Sequence, residues 1–186
     1  MPQVQMRIEY PAVKSSDSLT TGKNTMHTNK KLFEQLNKLR DSKMVIIGIG
    51  NTLKGDDGVG PLVCQQLAGK ISAELMDVAT VPENYIQPII KKAPQNLLII
   101  DAIDFGAPVG AIRIFKPEQL DSFVSSTHTL SPHLFIDMIC KNIKVDVYFV
   151  GIQPAQIQLG QPMSCEVKQA ARWLTRTLAK IFPATK

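Results

Sequence analysis

The chain has 186 residues, 44% hydrophobic and 20% charged, which allows one domain with a full hydrophobic core but not two. That composition excludes a disordered or fibrous chain, and no apolar run approaches the roughly 18 residues that a membrane-spanning helix needs. The net charge of +5 does not point to nucleic acid, because residues 1–40 hold seven Lys/Arg against three Asp/Glu while the other 146 carry 14 against 13.

Residues 1–28, with "SSDSLTTGKNTMHTN", lack apolar periodicity and read as a flexible arm. The opening "MPQVQMRIEY" has no secretory or organelle-targeting pattern, so a cytoplasmic protein is expected. "NKKLFEQLNKLR" places Leu32, Phe33, Leu36 and Leu39 at helical spacing, which predicts a short amphipathic helix leading into the domain. The expected division is an arm and helix over 1–42 and a folded domain over 43–186.

From Met44 onward short apolar runs alternate with amphipathic ones. Strands are predicted over 44–50, 73–80, 96–103, 111–117 and 145–153, and helices over 58–70, 83–92, 131–142 and 164–182. Alternation of this kind implies a largely parallel sheet covered on both faces. The segment "DFGAPVGA" between the third and fourth strands is too short for a crossover helix, so one strand there is expected to be antiparallel. The predicted class is α/β, a three-layer sandwich with a twisted, mainly parallel five-stranded sheet between helices.

The stretch "GNTLKGDDGVG", Gly50 to Gly60, follows the first strand directly and sets Asp56 beside Asp57. In open α/β sheets, ligands bind beyond the carboxyl ends of the strands where the connections reverse. Asp101 ends the apolar run "LLII", so a 2-1-3 strand order would face it towards the Asp56–Asp57 loop. Two carboxylates about 4 Å apart repel by roughly 4 kcal/mol at an effective dielectric of 20, which a cation or a shared proton relieves. "SSTHTLSPHL" adds His128 and His133, and carboxylates with an imidazole suit a zinc- or nickel-like ion better than magnesium or calcium. The set Asp57, Asp101, His128 would leave coordination positions open.

Each residue also has a plain structural reading. Asp56 or Asp57 can cap the following helix, with Pro61 in its first turn. Asp101 can anchor its turn through an Asx bond, and either histidine can sit at the start of the helix over 131–142. A dinucleotide site would need glycine where Leu53 stands, and the two aspartates would repel a pyrophosphate at the helix N-terminus. Cys64, Cys140 and Cys165 are odd in number and far apart, suggesting neither disulfides nor a thiolate metal site.

Together "GIGNTLKGDDGVGPLV", "VPENYI", "LLIIDAIDFGAPVGAIRIF", "STHTLSPHLFIDMI" and "VGIQP" resemble the nickel-iron hydrogenase maturation endopeptidases, especially the branch serving hydrogenase three of formate hydrogenlyase. The resemblance covers roughly residues 43–182. It implies an endopeptidase that removes a C-terminal extension from the hydrogenase large-subunit precursor after nickel insertion. By motif, the metal-binding and catalytic set falls on Asp57, Asp101 and His128. The nickel would arrive on the precursor's cysteines, with no tightly held metal of the enzyme's own. Some relatives carry the histidine within "SPH", which makes His133 the alternative; counting back from "FID" favours His128 without a gap. Asp56 would be a neighbouring base or a cap. Gly50, Asn51 and Gly55 would shape the loop, and Glu83 and Gln153 are weaker candidates for lining the cleft. The expected partner is the precursor, with no nucleic acid, no membrane insertion and a monomeric state.

Overall fold

The six residues Met44–Ile49 are all buried, as an uninterrupted apolar run requires of a parallel strand covered on both faces. This strand, β1, belongs to a five-stranded sheet with β2 (Glu74–Ala79), β3 (Asn96–Ala102), β4 (Ile112–Phe115) and β5 (Asp146–Ile152), in the order β2-β1-β3-β5-β4. β1 pairs in parallel with β2 and β3, and β3 in parallel with β5. β4 runs antiparallel to β5, with Ile112 opposite Ile152, as the short third connection requires. The structure, a computed structural model, describes residues 30–120 and 131–184. The arm expected over 1–28 and His128 lie outside these residues.

The helices are α1 over 30–37, α2 (Val59–Leu67), α3 (Ile86–Lys92), α4 (Pro132–Cys140) and α5 (Cys165–Ile181). Strand side chains alternate between the two faces of the sheet, and this alternation splits the core in two. Ile46, Leu98 and Val150 join Val63 of α2 and Leu174 of α5 in one layer. Val45, Ile47, Leu97, Ile99 and Phe149 join Ile89 of α3 with Phe135 and Ile139 of α4 in the other. α5 buries Val167, Ala170, Ala171, Leu174, Leu178 and Ile181, a stripe at helical spacing. Its N-cap, Ser164, accepts a hydrogen bond from Val167 N at 3.4 Å.

The boundary expected between residues 42 and 43 falls inside one core. Leu32, Leu36 and Leu39 are 3%, 0% and 8% exposed and belong to the layer built by α2 and α5. The apolar side of α1 is too large to leave in water, so the helix is part of the domain rather than a lead into it. No helix among the described residues is long and apolar enough to cross a membrane.

Because β1, β2, β3 and β5 point the same way, the loops that follow them all open at one edge of the sheet. The chain over 50–58, 80–85, 103–111 and 153–164 meets there.

Candidate active site

β1 leaves the sheet through Gly50, whose φ of +136° is one that side-chain-bearing residues rarely adopt. The next turns fold the loop back on its own neck. Lys54 N donates to Asn51 O at 3.0 Å and Asp57 N to Lys54 O at 3.1 Å. Asn51 Oδ1 accepts from Leu53 N at 2.9 Å, an Asx turn. Gly55 (φ +56°) opens a short 3-10 helix, Gly55–Gly58, that carries both aspartates and lies against β3.

The two carboxylates part company inside this turn. Asp57 is 7% exposed, and its Oδ2 accepts from Asn51 N at 2.7 Å. Among the described residues its other oxygen has no hydrogen bond. Asp56 is fully buried and faces the segment after β5. Its Oδ1 accepts from Ser164 N at 2.6 Å, and its Oδ2 from Ala155 N at 2.8 Å, Gln156 N at 3.3 Å and Ser164 Oγ at 3.1 Å. Its own amide donates to Gln156 O at 3.1 Å.

This corrects two expectations. Neither aspartate caps α2, which has no side-chain cap, and Asp56 is not placed as a base, because its acceptor capacity is consumed in clamping a second loop. Ser164, Ala155 and Gln156 were not singled out in the sequence. Contacts about a hundred residues apart leave no local pattern.

Asp101 stands near the end of β3, opposite Gly151 of β5, while the preceding Ile100 pairs with Gly48 of β1. Its Oδ1 accepts from the adjacent Ala102 N at 2.8 Å. The turn of Asp57 thus rests on the strand that carries Asp101 near its end, as the 2-1-3 order predicted.

Gln153 does not present its side chain to a cleft. Its Oε1 accepts from Phe105 N at 2.9 Å and Ala107 N at 3.1 Å, and its Nε2 donates to Asp104 Oδ1 at 3.0 Å and Pro154 O at 3.3 Å. It organises the 104–111 loop from within. The Gln153 amide, followed by the Gly106 N–H, holds the Asp104 carboxyl below the ordinary carboxylate range. Glu83 lies in a 3-10 helix, Pro82–Tyr85, that follows β2 at the same edge.

His133 sits in the first turn of α4, exposed, after the Ser131 cap and Pro132. No group of three His, Cys, Asp or Glu among the described residues is arranged to hold a metal ion.

A profile described as hydrogenase maturation protease matches residues 62–181. A hydrogenase maturation protease from Methanocaldococcus jannaschii is 34% identical over 162 residues, covering 81% of this chain and 95% of that one. The chain belongs to the hydrogenase maturation protease family. The hydrogenase 3 maturation protease of Escherichia coli K12 is 35% identical over 137 residues, 72% of this chain and 87% of that protein. Among solved structures, the nickel-iron hydrogenase maturation protease from Thermococcus kodakarensis superposes with a TM-score of 0.72 at 28% identity, covering 79% and 97% of the two chains. An Escherichia coli endopeptidase gives 0.68 at 34%, covering 74% and 90%. As a family member the chain is a peptidase, and its five-stranded α/β fold is the family's.

Proposed function

We propose that this maturation protease removes the C-terminal extension of a nickel-iron hydrogenase large-subunit precursor after nickel insertion, and that it recognises the nickel the precursor carries. Within the family we assign it to the branch serving hydrogenase three. The observation that carries the reading is the state of Asp57: buried in a folded-back loop, held through one oxygen by Asn51 N, on a turn that packs against the strand carrying Asp101. A carboxylate fixed through one oxygen, on a turn that packs against the strand carrying a second carboxylate, is an arrangement that a cation would complete. Asp57, Asp101 and His128 are the proposed ligands, with His133 as the alternative to His128.

Nickel here is the substrate's cargo. It can polarise the scissile carbonyl or lower the pKa of a bound water. The chain's own residues hold the ion, and with it the peptide, in one orientation at the sheet edge. Two carboxylates and an imidazole on a partly open edge bind a free ion less firmly than an ion already held by thiolates, so the enzyme takes the metal only together with its substrate.

The test is incubation of the purified chain with nickel-loaded and nickel-free precursor, followed by intact mass. Loss of the tail from the nickel-loaded form alone is expected. Equal cleavage of the nickel-free form would overturn nickel recognition, and cleavage of neither would overturn the assigned substrate.

A further inference from the structure

The edge of the sheet next to the Gly50 loop holds a second polar group the mechanism does not use. Val78 is skipped in the pairing of β1 and β2: Gly48 pairs with Asp77 and Ile49 with Ala79, so the strand bulges. Ala79 itself has φ +47°, strained for a residue with a side chain. Asp77 Oδ1 steadies this kink by accepting from Ala79 N at 3.1 Å, and Ala79 O receives Gly50 N at 2.9 Å. The bulge is therefore fastened to the neck of the loop that carries Asp57.

Four residues beyond Ala79 comes Glu83, roughly 14 Å away even at full extension and closer in the tight turns that intervene. Its Oε2 is buried without a hydrogen-bond partner, unlike any other buried side-chain nitrogen or oxygen among the described residues. A carboxylate oxygen removed from water and given no donor disfavours the folded state. No described residue donates to it, and a buried polar group left in this state calls for a partner from outside the fold.

We propose that Glu83 is a recognition residue that receives a basic side chain, lysine or arginine, of the precursor segment lying across this edge. The inference rests on the substrate assignment made above. A cation is the partner that fits, because a neutral donor would satisfy the oxygen but leave the carboxylate without a counterion. A charge-assisted bond satisfies both needs. Glu83 contacts the chain flanking the scissile bond, and Asp57 and Asp101 remain with the ion.

Full-length Glu83→Gln tests this with two readouts. Steady-state processing of nickel-loaded precursor is expected to show KM raised about tenfold or more with kcat within about twofold, the signature of lost uniform binding. The denaturation midpoint of the free protein is expected to stay unchanged or rise, since the orphaned charge is gone. The same comparison is made on precursors in which each Lys or Arg near the cleavage junction is replaced by Gln. For one of them the wild type should lose the same factor and Glu83→Gln should lose nothing further. An unchanged KM, a lowered midpoint, or an equal Glu83→Gln penalty on every precursor would overturn the proposal while leaving the substrate assignment standing. Failure of the wild type to process any precursor would instead remove that assignment, and this proposal with it.

Discussion

The carbonyl oxygen of Asp57 occupies the place where a side chain on Gly50 would begin: a Cβ built at Gly50 lies 1.8 Å from it. The neck of the loop is closed by backbone against backbone, with no flexible side chain to give way. Gly50→Ala is expected to destabilise the protein by at least about 3 kcal/mol, combining a forbidden φ with this overlap, and to abolish processing because Asp57 moves. Denaturant unfolding and a cleavage assay check both effects. A variant as stable as the parent would show that the close approach is not maintained in solution.

Asp56 and Asp57 are adjacent yet should fail in opposite ways. Removing the Asp56 side chain leaves three backbone amides and the Ser164 hydroxyl without their buried acceptor, so Asp56→Ala should cost roughly 3–5 kcal/mol, the scale of a broken buried network. Asp57→Asn keeps an oxygen for Asn51 N and should stay within about 1 kcal/mol of the parent while losing cleavage. Asp101→Ala is expected to lose cleavage as well. Active Asp57→Asn would remove the proposed ligand set.

The two histidines are separated by comparing initial rates on one nickel-loaded precursor. His128→Ala should lose about a hundredfold or more, the scale felt when part of a metal site is removed. His133→Ala should keep most of its activity, because its side chain is exposed in the first turn of α4. The reverse ranking would transfer the ligand to His133.

Leu36 is fully buried in the layer shared with α2 and α5. Leu36→Ala should therefore cost about 2–5 kcal/mol, as for an interior leucine, whereas deleting residues 1–28 should leave processing unchanged. A silent Leu36→Ala in thermal unfolding would detach α1 from the core.

The cysteines offer a probe of the fold that does not depend on activity. Burial, and next the charge of Asp77, push the Cys64 thiol up to about 12, so almost no thiolate exists at neutral pH. A thiol reagent should label Cys140 and Cys165, both exposed, and reach Cys64 only in denaturant. Partial burial, together with Asp137 and Asp146, raises the Cys140 thiol too, which should slow its labelling. Rapid native labelling of Cys64 would contradict its place under β2.

What the sequence made legible follows the range of the forces involved. β1 and β3 announce themselves as continuous apolar runs because both their faces are covered, and the antiparallel β4 follows from a connection too short for a crossover. α4 starts with a serine cap and a proline in its first turn, Ser131 and Pro132, both local signals. By contrast, the helix expected over 83–92 begins as a 3-10 turn and becomes α-helical only at Ile86, and the left-handed Ala79 has no signature in its residue type. In the candidate site, Asp57 and Asp101 could be placed at one edge by strand order alone. The division of labour between Asp56 and Asp57 could not, since what decides it is the company each keeps across the fold.

The bond between Asp56 and Ser164 spans 108 positions, and that distance has a meaning in time. A ribosome adding about 5–20 residues per second completes the glycine loop several seconds before it supplies the residue that locks it. Contacts of such long range form late in folding as well. Until then, the nascent chain carries Asp57 on an unfastened loop. The clamp therefore ties the fixing of this loop to the completion of the sheet: Ser164 is made only after all five strands, at the threshold of α5.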